Sequence, residues 1–188
     1  MIDGNNDSDH IPPFEFVKVV GRLKEIIITS GGENIAPTLI ESEMKTSMPA
    51  LSTCIVLGDG RKFLSMMISL KVFADSESGI PKDNLTEEVI DIGKVIGSTA
   101  MTYTAAKIDP LWIKYIDDGM ALANSITLSN SQKIQKWVWI PHDISEATEE
   151  LNAQLKLRRK FVNEKYSYLI DSIYNEPVQV VPSTNVLI

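Results

Sequence analysis

The stretch Gly21-Arg22-Leu23-Lys24-Glu25-Ile26-Ile27-Ile28-Thr29-Ser30-Gly31-Gly32-Glu33-Asn34-Ile35-Ala36-Pro37 decides the reading of this chain. A basic turn feeds the β-branched run Ile26 to Thr29, which predicts a strand. Ser30-Gly31-Gly32-Glu33 predicts a hairpin turn, because glycine accepts the positive φ that such turns demand. Asn34-Ile35-Ala36 is the return strand, and Pro37 suits the first turn of a helix.

Downstream, Leu39, Ile40, Met44 and Met48 predict one apolar helix face, ending near Pro49. Leu51 to Leu57 reads as a strand turned by Gly58-Asp59-Gly60, and Phe63 to Phe73 as a second strand. Runs this apolar imply cover on both faces. Asp75 to Leu85 reads as a polar loop, Thr86 to Ile96 as a helix with acidic residues at its positive end, and Gly97 to Lys107 as a looser stretch. Asp109-Pro110 opens a helix running to about Leu128, with Trp112, Tyr115, Ile116, Met120, Ala123 and Ile126 as its buried stripe. Ile134 to Ile140 alternates around Trp137 and Trp139 as a strand. Ser145 to Asn152 is acidic and expected to be exposed, and Phe161 to Tyr174 is expected to form the last helix. The fold class is α+β: a small sheet with an N-terminal β-hairpin and packed helices, and a helical insertion over residues 75–130. Residues 1–13 read as a disordered tail, 14–175 as the folded domain and 176–188 as a C-terminal tail.

Composition narrows the function classes. The chain has 188 residues and a formal charge of −7, which argues against a nucleic-acid surface. No apolar run approaches the roughly 20 residues of a membrane span. The polar N-terminus does not read as a signal peptide. Cys54 is the sole cysteine, so an intrachain disulfide is excluded, and its apolar setting predicts a buried structural thiol in a reducing compartment. His10 and His142 are isolated, which makes a metal site improbable on sequence grounds. Asp117-Asp118 and Glu149-Glu150 read as solvated pairs. Neither G-x-S-x-G nor a P-loop occurs.

The opening stretch, Gly21 to Pro37 followed three residues on by Ile40-Glu41, resembles the start of the small C-terminal domain of adenylate-forming (AMP-binding) enzymes. That resemblance implies a mobile lid that rotates between two poses. It places Lys24 at the hinge, Arg22 near the nucleotide, and Ser30, Gly31 and Gly32 along the path of the CoA pantetheine. A second likeness lies in Asn152-Ala153-Gln154-Leu155-Lys156-Leu157-Arg158-Arg159. Long-chain acyl-CoA synthetases carry Thr-Pro-Thr-x-Lys-x-Lys-Arg there, with the first lysine catalytic, so Lys156 matches that position. The threonines and proline are replaced, and Glu146-Ala147-Thr148-Glu149-Glu150 stands where the family has a glycine-rich stretch.

Phe63 to Lys71, Ser129 to Trp137, Glu164-Lys165-Tyr166 and Ile170 to Tyr174 resemble the bubblegum-type long-chain fatty acyl-CoA synthetases. The resemblance implies the reaction of fatty acid, ATP and CoA to acyl-CoA, AMP and pyrophosphate. It implies ATP, Mg²⁺ and CoA in the full-length enzyme, none held tightly by this chain. It also implies a large N-terminal adenylation domain as partner, without which activity is not expected. A cytoplasmic location follows, with peripheral attachment to the endoplasmic reticulum membrane left open. The alternative is an inert remnant that serves as a binding or scaffolding module.

Overall fold

The computed structural model describes residues 25–127 and 129–175. Strands β1 (Ile27–Ile28) and β2 (Asn34–Ile35) form the expected hairpin, with Ile27 opposite Ile35. Helix α1 (Pro37–Ser47) follows, and the Met48 amide closes it on the Met44 carbonyl. Ile40, Met44 and Met48 are buried, but Leu39 is exposed. The buried residues repeat every four positions and form one row along the helix, and Leu39 falls off that row.

The main sheet has the order β3 (Leu51–Leu57), β4 (Leu64–Leu70), β7 (Ile134–Trp139), with β4 antiparallel to β3 and parallel to β7. Every residue of β4 is buried. Alternation along the strand divides the cores. Leu64, Met66, Ile68 and Leu70 join the larger core with α1, whereas Met67 joins Ile55, Leu57, Ile140, Val162, Tyr166, Ile170 and Ile173 on the other side.

A parallel pair needs a long crossover, and here it contains more than helices. The strand expected over Phe63 to Phe73 divides at Lys71, whose amide turns to the Ala50 carbonyl. Its remainder is β5 (Val72–Ala74), paired antiparallel with β6 (Pro81–Leu85). The expected polar loop therefore holds a strand. Its side chains are largely solvated, so pairing of the main chain rather than an apolar face defines it. Helix α2 (Glu87–Ile96) stops at Gly97, which takes a φ of 86°. Helix α3 (Tyr103–Ile108) occupies the expected looser stretch, capped by Thr102, whose hydroxyl accepts from the Ala105 amide. Helix α4 (Pro110–Ser125) is capped by Asp109 and buries Trp112, Ile116, Met120 and Ala123. Ile126 lies past its end and is exposed. The last helix is two: α5 (Arg159–Lys165) and α6 (Ser167–Asn175), separated at Tyr166. Among the described residues no helix is long and apolar enough to cross a membrane.

Candidate functional site

Two exposed features correspond to the sequence motifs. The first is the turn Ser30-Gly31-Gly32, solvent-exposed throughout. Gly32 has a φ of 80° with open space around its α-carbon, so a side chain there would meet backbone strain rather than a neighbour. The turn is closed by the Gly32 amide on the Thr29 carbonyl (2.9 Å) and the Thr29 amide on the Glu33 carbonyl (3.1 Å). It is also fastened from below. Ser30 donates to the Arg61 carbonyl (2.9 Å), Gly60 to the Ile28 carbonyl (2.8 Å), and Ile28 to Asp59 Oδ1 (3.1 Å). The β3–β4 turn thus carries the hairpin as a projecting corner. Arg22 and Lys24 lie outside the described residues.

The second feature is the loop that carries Lys156. Leu151 and Leu157 bridge across it, and Asn152 donates to the Lys156 carbonyl (3.0 Å). Asn152 Oδ1 accepts from the amides of Gln154 (3.0 Å) and Lys156 (2.9 Å). Leu155 sits at the bend with a φ of 57°, in the left-handed region, and its side chain is exposed. Beneath lies a groove of about 460 Å³ lined by Glu41, Lys45, Cys54, Leu151, Leu155 and Leu157 among others.

The basic cluster is sorted by the fold. Arg159 turns inward to Glu41 (2.6 Å) and to the Val56 carbonyl (3.3 Å). Arg158 donates to the Glu149 carbonyl (2.9 Å) and lies over the Phe161 ring. Lys160 approaches Glu164 only at 3.9 Å. Lys156 is exposed, and its ammonium makes no hydrogen bond or ion pair among the described residues. A free ammonium on a formed loop suits contact with anionic oxygens. No hydrogen bond or ion pair among the described residues joins Lys156 to the Ser30–Gly32 turn. The turn is tied to the end of β3, whereas the loop overhangs Ser52 to Ile55.

Two carboxylates were misjudged or missed in the sequence reading. Glu150 is not solvated. It is fully buried, and its Oε1 accepts from Lys165 Nζ (2.8 Å) and the Tyr166 hydroxyl (2.6 Å). Burial pushes its carboxyl pKa up, but the hydrogen bonds from Lys165, Thr148 and Tyr166 outweigh this and hold it below the ordinary value. Glu41, the acidic residue that ends the opening motif, is largely buried between Arg159 and the Val56 amide (2.9 Å). It joins α1, β3 and α5, and so links the two motifs mechanically. Nothing local in the sequence signals this, because its partner is 118 residues away. Among the described residues, no three His, Cys, Asp or Glu side chains converge as a metal cage.

Residues 24–108 match the AMP-binding enzyme C-terminal domain. The chain is 38% identical over 172 residues to long-chain-fatty-acid–CoA ligase ACSBG1 of Bos taurus, covering 90% of this chain and 24% of the relative. It is 38% identical to ACSBG2 of Homo sapiens over 91% of this chain and 26% of the relative, and 36% identical to the ligase heimdall of Drosophila melanogaster over 90% and 28%. The chain thus spans about a quarter of the length of the curated relatives it matches. In fold it resembles the adenylation domain of a carboxylate reductase from Mycobacterium chelonae (TM-score 0.59, 16% identity, 84% of this chain and 20% of that one). It also resembles that of a carboxylic acid reductase from Segniliparus rugosus (TM-score 0.58, 18% identity, 87% and 22%). Residues 24–108 therefore form a C-terminal domain of the AMP-binding enzyme family, and the curated relatives named above are bubblegum-type long-chain-fatty-acid–CoA ligases.

Proposed function

We propose that this chain is the lid of a long-chain fatty acid–CoA ligase, acting with a large N-terminal adenylation domain. The reaction joins fatty acid and CoA at the expense of ATP, releasing AMP and pyrophosphate through an acyl-AMP. Mg²⁺ travels with ATP. In one pose Lys156 places its ammonium against the acyl and α-phosphate oxygens, where negative charge develops. In the other pose Ser30, Gly31 and Gly32 line the path of the CoA thiol. Lys24 is the pivot between poses, and Arg22 contacts the nucleotide. This reading places the assembly in the cytoplasm and leaves peripheral attachment to the endoplasmic reticulum membrane open.

The observation that carries this reading is the exposed ammonium of Lys156, unpaired among the described residues, on a loop held by its own hydrogen bonds. Asn152 replaces a threonine of the long-chain pattern, yet its carboxamide takes two loop amides. That supports a loop kept in shape despite its altered sequence, and weighs against an inert remnant. The test is complementation. The chain alone, given ATP, a C16–C18 fatty acid and CoA, is expected to release no AMP. Fused to the large domain of a bubblegum-type ligase, it is expected to restore acyl-CoA formation. A folded fusion that makes neither acyl-AMP nor acyl-CoA would refute the proposal, as would full activity of the chain alone.

A further inference from the structure

A fully buried glutamate lies at the root of the lysine loop. Burying a carboxylate is unfavourable unless donors replace its water; here they come from the end of α5 and converge on Oε1, while Oε2 is buried without a hydrogen bond among the described residues. Lys165 and Tyr166 both reach Glu150 Oε1, and the same ammonium also donates to the Thr148 carbonyl (3.1 Å). The Tyr166 hydroxyl lies 3.4 Å from His142 Nε2, which brings in the segment after β7. The main chain of Glu150 is equally committed, because its carbonyl accepts from the Arg158 amide (2.8 Å) and closes the loop one step outside the Leu151–Leu157 bridge. Just before it, Glu149 takes a left-handed φ of 72° and offers its carbonyl to the Arg158 guanidinium. Both strands of the loop therefore meet on Glu150, which is fastened to a helix rather than left to solvent.

The geometry points to Glu150 as the positioning residue of the lysine loop: its contacts with Lys165 and Tyr166 mount residues 151–157 rigidly on α5, so that Lys156 is aimed by the whole domain rather than by flexing of its own loop. The consequence for chemistry rests on the adenylation role proposed for Lys156. Where the family has glycines, this chain has Glu146 to Glu150, and the anchored carboxylate makes a flexible approach unnecessary. Motion of the ammonium then accompanies motion of the domain.

Two measurements test this separately. In the 188-residue chain, hydrogen exchange is followed at the amides of Asn152, Leu155, Lys156 and Arg158, against Ile55 and Met67 in the sheet. Glu150→Ala is expected to speed the loop amides about tenfold or more and leave the sheet unchanged, with Glu150→Gln in between because its amide oxygen still accepts. In the fusion enzyme, Glu150→Ala is expected to slow acyl-AMP formation about tenfold or more while thioester formation from supplied acyl-AMP stays within about twofold. Unchanged loop exchange, or equal loss in both half-reactions, overturns the proposal. Should Glu150→Ala fail to fold, Tyr166→Phe removes one donor and keeps the ring. It is expected to speed only the loop amides, and no change there overturns the proposal as well. If Glu150→Ala loosens the loop but Lys156→Ala leaves adenylation untouched, the anchor stands and the assigned role of Lys156 falls.

Discussion

Gly119 on α4 approaches Met48 so closely that a methyl group on its α-carbon would overlap Cγ and Sδ of the methionine. Met48 closes α1 and is fully buried, so its side chain could make room only by repacking. The crossover helices are thus keyed into the same core as α1. Gly119→Ala is expected to destabilise the fold by about 1–3 kcal/mol, the usual effect of overpacking a close contact. Urea denaturation checks it. A variant as stable as the parent would show that α4 can slide away from α1.

Glu150 also sets an acid dependence. Its folded pKa lies below the ordinary value of 4.5, so near and below that pH the unfolded chain binds the proton more readily. Stability from the Glu150–Lys165–Tyr166 cluster is therefore complete above about pH 4.5 and is lost as pH falls through the depressed value. Urea midpoints measured from pH 7 downward are expected to drop in the parent and to drop less steeply in Glu150→Gln. Some slope persists in that variant. Asp75 is also held low, chiefly by the Ser78 amide, with the Lys82 ammonium next in effect. Identical slopes in parent and variant would remove Glu150 from the account.

Cys54 faces the core, and burial pushes its thiol up to about 12. The thiolate is the reactive form, so the native chain at pH 8 is expected to resist a disulfide-exchange reagent. In denaturant the same thiol should react in full. Rapid stoichiometric labelling of the folded chain would mean that β3 opens readily beside the lysine loop.

These residues also show what can be read without coordinates. Strand β3 has the bounds expected because Leu51 to Leu57 is buried on both sides, and an unbroken apolar run records that directly. Strand β6 was hidden because Lys82, Asp83 and Asn84 face solvent, and only the main chain is committed to the pair with β5. Leu39 and Ile126 are apolar yet exposed, since periodicity alone does not say where a helix face ends. The break at Tyr166 has no proline or glycine to announce it. Of the site residues, Gly31, Gly32 and Lys156 stood out through local pattern. Glu150 did not, because a buried carboxylate is identified by its partners, and Lys165 and Tyr166 lie 15 and 16 positions further along the chain.

Lys156 offers the sharpest separation of structure from chemistry. Its side chain is exposed and unpaired among the described residues, so Lys156→Ala is expected to change stability by no more than about 0.5 kcal/mol. In the fusion enzyme the same change is expected to slow acyl-AMP formation by about 10²–10³-fold, the scale of losing one donor to developing charge. Thioester formation from supplied acyl-AMP, which belongs to the other pose, should hardly change. Lys156→Arg should recover only part of the loss, because a planar guanidinium reaches further and spreads its charge over a fork rather than a point. Stopped-flow measurement of each half-reaction distinguishes the cases. An equal decline in both would mean that Lys156 serves the docking of the lid, and the charge-stabilising role would have to be given up.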